Sequence, residues 1–435
     1  MEMLALYRFF RAEVEREVTQ PGAHFVAITD AGTPLERLAI ESGFRRTFLN
    51  AADIGGRFSA LSFFGLVPGA LIGVDLGRLL DRADAMMAAC SASTAVANNP
   101  ALRLGATLSG LAAAGRDKVT LLASEPIRAL GAWLEQLLTE STGKQERGLV
   151  VVHEETPGPP RHYGADRIFV GLRLGADPAL DRVLGELEAA GQPMVRIVLA
   201  DRYDLGAEFF RWELATAVAG VLLEVNPFDE PNVAQAKDAT QAALATYHEQ
   251  GRLPDWPADT VETLVSALRA ARPGDYVALL AYLTPEPATT AALQSLRLLL
   301  RDRTGLATTV GYGPRYLHST GQLHKGGPPT PILIMLAGED EELPIPGERY
   351  GFGTLKTAQA LGDLATLRAA HRRVLCLPLG RRPAEAIGQL AREVGQRLPP
   401  GSLSEYKGAP RVPRGAPRVG GMGGHVGAPH LPESP

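Results

Sequence analysis

The segment Asp53-Ile54-Gly55-Gly56-Arg57-Phe58-Ser59 sets one cation after two glycines. Glycine permits backbone angles closed to other residues, so the pair can bring backbone and ligand together at a fixed positive charge, the kind of group that stabilises a developing oxyanion. An arginine after a turn can equally point into solvent. A second segment, Gln136 to Lys144 (QLLTESTGK), ends an amphipathic pattern at Gly143. Glu140 falls in its last turn, where the macrodipole disfavours a carboxylate; a catalytic base tolerates such a place, and an exposed carboxylate beside a C-cap glycine is the alternative. In a third, Asn226 to Lys237, Pro231 suits a first helical turn and Asp229 can cap it, which puts Lys237 nearly two turns inside. Read alone, it is an ordinary solvated lysine. The fourth, Gly311 to Gly327, concentrates His318, His324, several hydroxyls and two cations in a Gly-rich loop after a strand. Histidine is the commonest general acid/base near neutrality. Zinc is the competing reading, but no acidic or cysteine partner stands nearby at ligand spacing, and no metal is expected.

The elements that must position these groups alternate. Strands are predicted at residues 25–29, 119–122, 149–152, 168–170 and 195–199, with helices near 34–42, 75–93, 101–114, 127–139 and 178–190. Later strands at 276–280, 308–310, 332–336 and 374–377 alternate with helices near 287–303, 354–372 and 383–397. This rhythm predicts an α/β fold of parallel sheets flanked by helices, with ligands beyond the carboxyl ends of the strands. At 435 residues the chain has room for about three domains at roughly 100–200 residues each. The expected divisions are an incomplete first subdomain (1–100), a second (101–253), a C-terminal α/β unit with the histidine loop (254–398), and a disordered Gly/Pro-rich tail (399–435) with no assigned role. The second join falls at 251–257, where two prolines break the preceding helix.

Forty-four basic residues nearly balance 48 acidic ones, so neither nucleic acid nor an anionic membrane is an expected partner. Two distant cysteines, Cys90 and Cys376, make no disulfide framework, and a reducing cytoplasm is the natural compartment. The longest apolar run, residues 60–76, is broken by Gly65, Pro68, Gly69 and Gly73 and is too short to span a bilayer. The N-terminus enters an amphipathic helix at once and is not a signal peptide.

Together the four segments resemble the glucose-6-phosphate isomerase family, and most closely the isomerase half of bacterial transaldolase/glucose-6-phosphate isomerase fusions, over roughly residues 1–398. DIGGRFS matches the family's arginine signature, and QLLTESTGK its Gln-x-x-x-Glu-Ser-x-Gly-Lys segment. Phe209 to Lys237 resembles its Phe-Asp-Gln-x-x-Val…Lys signature, and His318, Gln322, Leu323, His324 and Gly326 its histidine segment with a one-residue gap. The resemblance implies a sugar isomerase type of α/β fold and interconversion of glucose 6-phosphate and fructose 6-phosphate, in glycolysis and gluconeogenesis, with no cofactor. A homodimer is the anticipated assembly.

Residue by residue, the resemblance makes Glu140 the base moving a proton between C2 and C1, and Arg57 the stabiliser of the enediolate. It makes Lys237 an aid to ring opening, and His318 the ring-opening histidine, with His324 second. His153 and His162 lie between the glutamate and the lysine but in the wrong surroundings. Substrate contacts fall to Gly55, Gly56, Arg57, Gln136, Glu230 and Lys237. Two features depart from the family. Glu230 stands where glutamine is usual, and the phosphate-holding Ser-Lys-Thr-x-Thr-Thr loop is missing, as if the chain began just after it. The expectation is therefore weak or no isomerase activity for this chain alone, with a non-catalytic sugar-phosphate-binding module or an inactive fragment of a fusion as the rivals.

Overall fold

A computed structural model describes residues 1–399, apart from the side chains of residues 233–236. The tail expected from residue 399 onward lies, beyond Pro399, outside the described residues. Three all-parallel sheets are present among the described residues. The first pairs β1 (Val26–Asp30) with β2 (Arg46–Asn50), Val26 facing Arg46. Their crossover helix, Pro34–Glu41, is started by Thr33, whose hydroxyl accepts from Glu36 N while Pro34 supplies the preset first turn.

The second sheet holds β3 (Lys118–Ala123), β4 (Val150–Val152), β5 (Arg167–Leu174) and β6 (Met194–Leu199) in the order β4-β3-β5-β6. The third holds β7 (Tyr276–Tyr282), β8 (Ala307–Tyr312), β9 (Pro331–Gly338) and β10 (Arg373–Gly380) in the order β10-β9-β7-β8. Both sheets step first to one side of their opening strand and then return to the other. Such a reversal leaves a crevice at the carboxyl ends of the strands. Near-continuous apolar runs such as Tyr276–Tyr282, buried along their whole length, are what a sheet covered on both faces requires.

Helices Pro100–Ala113, Leu130–Thr142 and Leu205–Leu222 cover the second sheet around Leu134, Leu137, Leu138 and Trp212, all fully buried. Helices Pro100–Ala113 and Leu205–Leu222 approach closely at Gly105, where a Cβ would stand 2.5 Å from Ala215 O. Val150 and Val152 of β4 share a core with Tyr276, Ala278 and Ala307 of the third sheet, so the edges of the two sheets meet through side chains. Helix Val233–Gln250 packs on helix Phe352–Ala369, and Ala5 of the first helix, Glu2–Glu15, joins Ala243, Leu244, Leu355 and Ala358 in the same core.

The apolar run at 60–76 folds as helix Phe63–Leu71 followed by the start of helix Leu76–Ala89. No helix among the described residues is long and apolar enough to cross a membrane. The break near residue 251 comes from Gly251 itself, in the left-handed conformation at the end of its helix, rather than from the prolines that follow.

Candidate active site

Arg57 and Glu140 meet in the interior. Arg57 lies in the short turn Gly56–Phe58, and its side chain is buried between the end of helix Leu130–Thr142 and the turn 226–230. The glycines before it are not needed for backbone freedom: Gly55 has φ −69°, neither glycine has positive φ, and a Cβ on either would meet open space.

Each of the four Nη hydrogens of Arg57 has an acceptor. Nη1 donates to Ser141 Oγ at 3.3 Å and Pro227 O at 3.2 Å; Nη2 donates to Asp229 O at 3.3 Å and Glu230 Oε2 at 2.6 Å. Nε stands 3.9 Å from Glu140 Oε2, too far for a hydrogen bond but close enough for charge attraction. Glu140 also accepts from Gln136 Nε2, one turn earlier on the same helix, at 3.3 Å. Burial pushes the Glu140 carboxyl above the usual carboxylate range, and the Arg57 charge and the Gln136 bond oppose that rise without cancelling it.

The helix carrying Glu140 ends at Gly143, whose φ is −75°. Glycine is demanded there by a close approach: a Cβ would stand 2.5 Å from Leu323 Cα. The neighbouring helix, Thr320–Gly326, is tied in by Gln322. Its Nε2 donates to Gly143 O at 3.0 Å and Asn232 Oδ1 at 2.8 Å, and its Oε1 accepts from Asn232 N at 3.1 Å. One buried amide thus fixes the end of the Glu140 helix to the start of the helix that bears Lys237. That helix begins at Val233 with Asn232 as its N-cap, so Lys237 stands little more than one turn inside and Asp229 is not the cap. Asp229 pairs instead with Lys144 at 2.7 Å, where burial lowers the lysine's pKa against the pull of that carboxylate.

His318 and Lys237 line one cleft of about 170 Å³, together with Glu2, Gln322, Lys325 and Gln359. The His318 ring is exposed and its Nε2 lies 3.5 Å from Glu2 Oε1; this bond raises the imidazole pKa and holds the Glu2 carboxyl well below the usual range. Glu140 is within electrostatic reach of His318. His324 is not brought to the cleft. Its ring packs between Tyr276 and Tyr316, both ring nitrogens lack partners among the described residues, and burial drives its pKa down to about 3. His153 and His162 are engaged elsewhere, 3.4 Å from Glu135 and 2.7 Å from Asp302.

Arg57, Glu140, Gln136 and Glu230 therefore form one cluster, with His318 and Lys237 facing the cleft beside it. The sequence reading missed Glu2, Asn232 and Lys325. Glu2 lies 316 positions from His318, and no local pattern could pair them.

No protein-family model matches the chain. It is 30% identical to a glucose-6-phosphate isomerase of Heliobacterium modesticaldum over 276 residues, 53% of this chain and 61% of that protein. It is 30% identical to a glucose-6-phosphate isomerase of Symbiobacterium thermophilum over 280 residues, 55% of this chain and 62% of that protein. The chain thus spans about three fifths of the length of these relatives. The crystal structure of a hypothetical protein from Thermus thermophilus superposes with a TM-score of 0.51 at 25% identity, covering 56% of this chain and 68% of that one.

Proposed function

From this chain's homology to glucose-6-phosphate isomerases over about half its length, we propose that it interconverts glucose 6-phosphate and fructose 6-phosphate through an enediol, a reaction of glycolysis and gluconeogenesis. The observation that carries the proposal is the buried Glu140 carboxylate, its pKa raised, 3.9 Å from the Nε of a buried arginine. A carboxylate so placed takes the C2 proton and returns it to C1, while the arginine offers Nε–H to the charge that builds on the oxygens between them. Such a base supplies on the order of 10²–10⁴-fold. His318, its pKa raised by the bond to Glu2, gives a proton to the ring oxygen as Lys237 assists the opening. The proposed steps use no metal or organic cofactor.

Glu140→Gln tests the assignment. The amide keeps the shape and the Gln136 contact but cannot accept a proton, so turnover falls at least about 100-fold with fructose 6-phosphate binding little changed. A Glu140→Gln protein as active as the wild type overturns it. The Glu230 pair favours a second reading, a binding module without turnover, because that carboxylate already sits on the arginine. Wild-type protein that binds sugar phosphate but never converts it supports that alternative.

A further inference from the structure

Lys325 is 6% exposed, on the helix Thr320–Gly326, with its Nζ 2.6 Å from Oδ1 of the fully buried Asp363. The other Asp363 oxygen accepts from the Tyr316 hydroxyl, so the carboxylate is held from two sides. Among the described residues Asp363 is the only polar partner of this ammonium. An ammonium has three donors, and Lys325 lines the same cleft as His318 and Lys237. Gly321 leaves this side of the ammonium clear: a Cβ there would stand 3.2 Å from Tyr316 O and 3.6 Å from Lys325 Nζ.

A buried ion pair adds little to stability over apolar residues of the same size, so packing alone gives a weak reason for this arrangement. As a rigidly seated point charge with donors to spare, it suits an anion. The cleft's other charges agree: besides Glu2 with His318 and Asp363 with Lys325, Lys237 adds a further positive charge to the lining.

We propose that Lys325, oriented by Asp363, is an anchor for the phosphoryl oxygens of a sugar phosphate at the floor of this cleft. The proposal rests on the isomerase reading for its geometry. In a hexose 6-phosphate, C5 bears both the ring oxygen and the carbon carrying the phosphate, so a cleft that serves the ring oxygen has the phosphoryl group within reach.

The test is calorimetric titration of the full chain with inorganic phosphate and, separately, with fructose 6-phosphate. It compares wild type with Lys325→Met and with Gly321→Ala, which keeps the ion pair but covers the ammonium. Both variants should weaken binding of both ligands at least about tenfold, the loss of a charge-assisted hydrogen bond. If Lys325→Met fails to fold around the orphaned Asp363, Gly321→Ala decides. Unchanged affinity in the folded variants, or wild type with no measurable affinity for either ligand, overturns the anchor. The two readings fail separately. Phosphate binding lost on substitution, in a protein with no isomerase turnover, keeps the anchor and refutes the isomerase; turnover with phosphate affinity indifferent to residues 321 and 325 does the reverse.

Discussion

Replacing Glu230 by Gln should speed the proposed reaction. Glu230 Oε2 sits 2.6 Å from Arg57 Nη2, and its side chain is 48% exposed. An enediolate at Arg57 would place a second negative charge a few ångströms from this carboxylate. Two like charges about 5 Å apart cost about 3 kcal/mol at an effective dielectric constant of about 20 and under about 1 kcal/mol in bulk water. Half exposure puts the value toward the lower end, about 1 to 2 kcal/mol, or roughly a 5- to 30-fold gain in kcat/KM. The glutamine oxygen still accepts from Arg57, so the guanidinium keeps its place. The Glu230 charge also helps raise the Glu140 pKa, so the acid limb of the pH–rate profile should move to lower pH. The assay is coupled turnover of fructose 6-phosphate from pH 5 to 9 at low and high salt, where screening should shrink the gain. An equal or slower rate for Glu230→Gln at low salt refutes the reasoning and points to Glu230 as a group the reaction needs.

Gln322→Ala removes three hydrogen bonds that tie the Glu140 helix to the start of the Lys237 helix; thermal melts should show a loss of about 1–3 kcal/mol, and kcat should fall as the two groups drift apart. Glu2→Gln removes the bond that raises the His318 pKa, so the imidazole midpoint followed by NMR should drop toward 6.5. The stabilisation from that pair is full just below about pH 6.5, where Glu2 is ionised, and fades as pH rises through the raised folded value; the fading should shrink in the variant to what the Glu140 charge sustains. For His324, buried with a pKa of about 3, the sign is opposite: the unfolded chain takes up a proton that the folded one refuses, so stability falls by about 1.4 kcal/mol for each pH unit between about 6.5 and 3. Denaturation of His324→Leu should lack that acid-side loss, and turnover should persist because the ring does not face the cleft.

The strands and helices were legible because buried parallel strands read as short apolar blocks and their helices carry clear starts, such as Thr33-Pro34 and Asn99-Pro100. Arg57, Glu140 and Gln136, which lie together in the structure, stood out through short motifs that resemble those of a known family. The motifs did not carry the reasons: Gly143 is glycine because Leu323, from the helix Thr320–Gly326 far along the chain, presses on it, and Gly55 and Gly56 are not there for unusual backbone angles. Distant pairings were out of reach. Glu2 with His318, Asp363 with Lys325, and Asp229 with Lys144 in place of a helix cap each join segments with no shared local pattern. His318 and His324 differ in packing, which no local pattern shows, since one faces the cleft and the other fills the core.

The most direct measurement follows solvent deuterium into the sugar. Proton NMR of glucose 6-phosphate in D₂O with wild-type chain should show deuterium at C1 of the fructose 6-phosphate that forms and, on reversal, at C2 of glucose 6-phosphate, as the proton held by Glu140 exchanges with solvent between its removal and its return. Glu140→Gln should bind the same sugar yet exchange at least about 100-fold more slowly. Exchange at the wild-type rate in the Glu140→Gln protein would contradict the account, because another group would then be moving the proton.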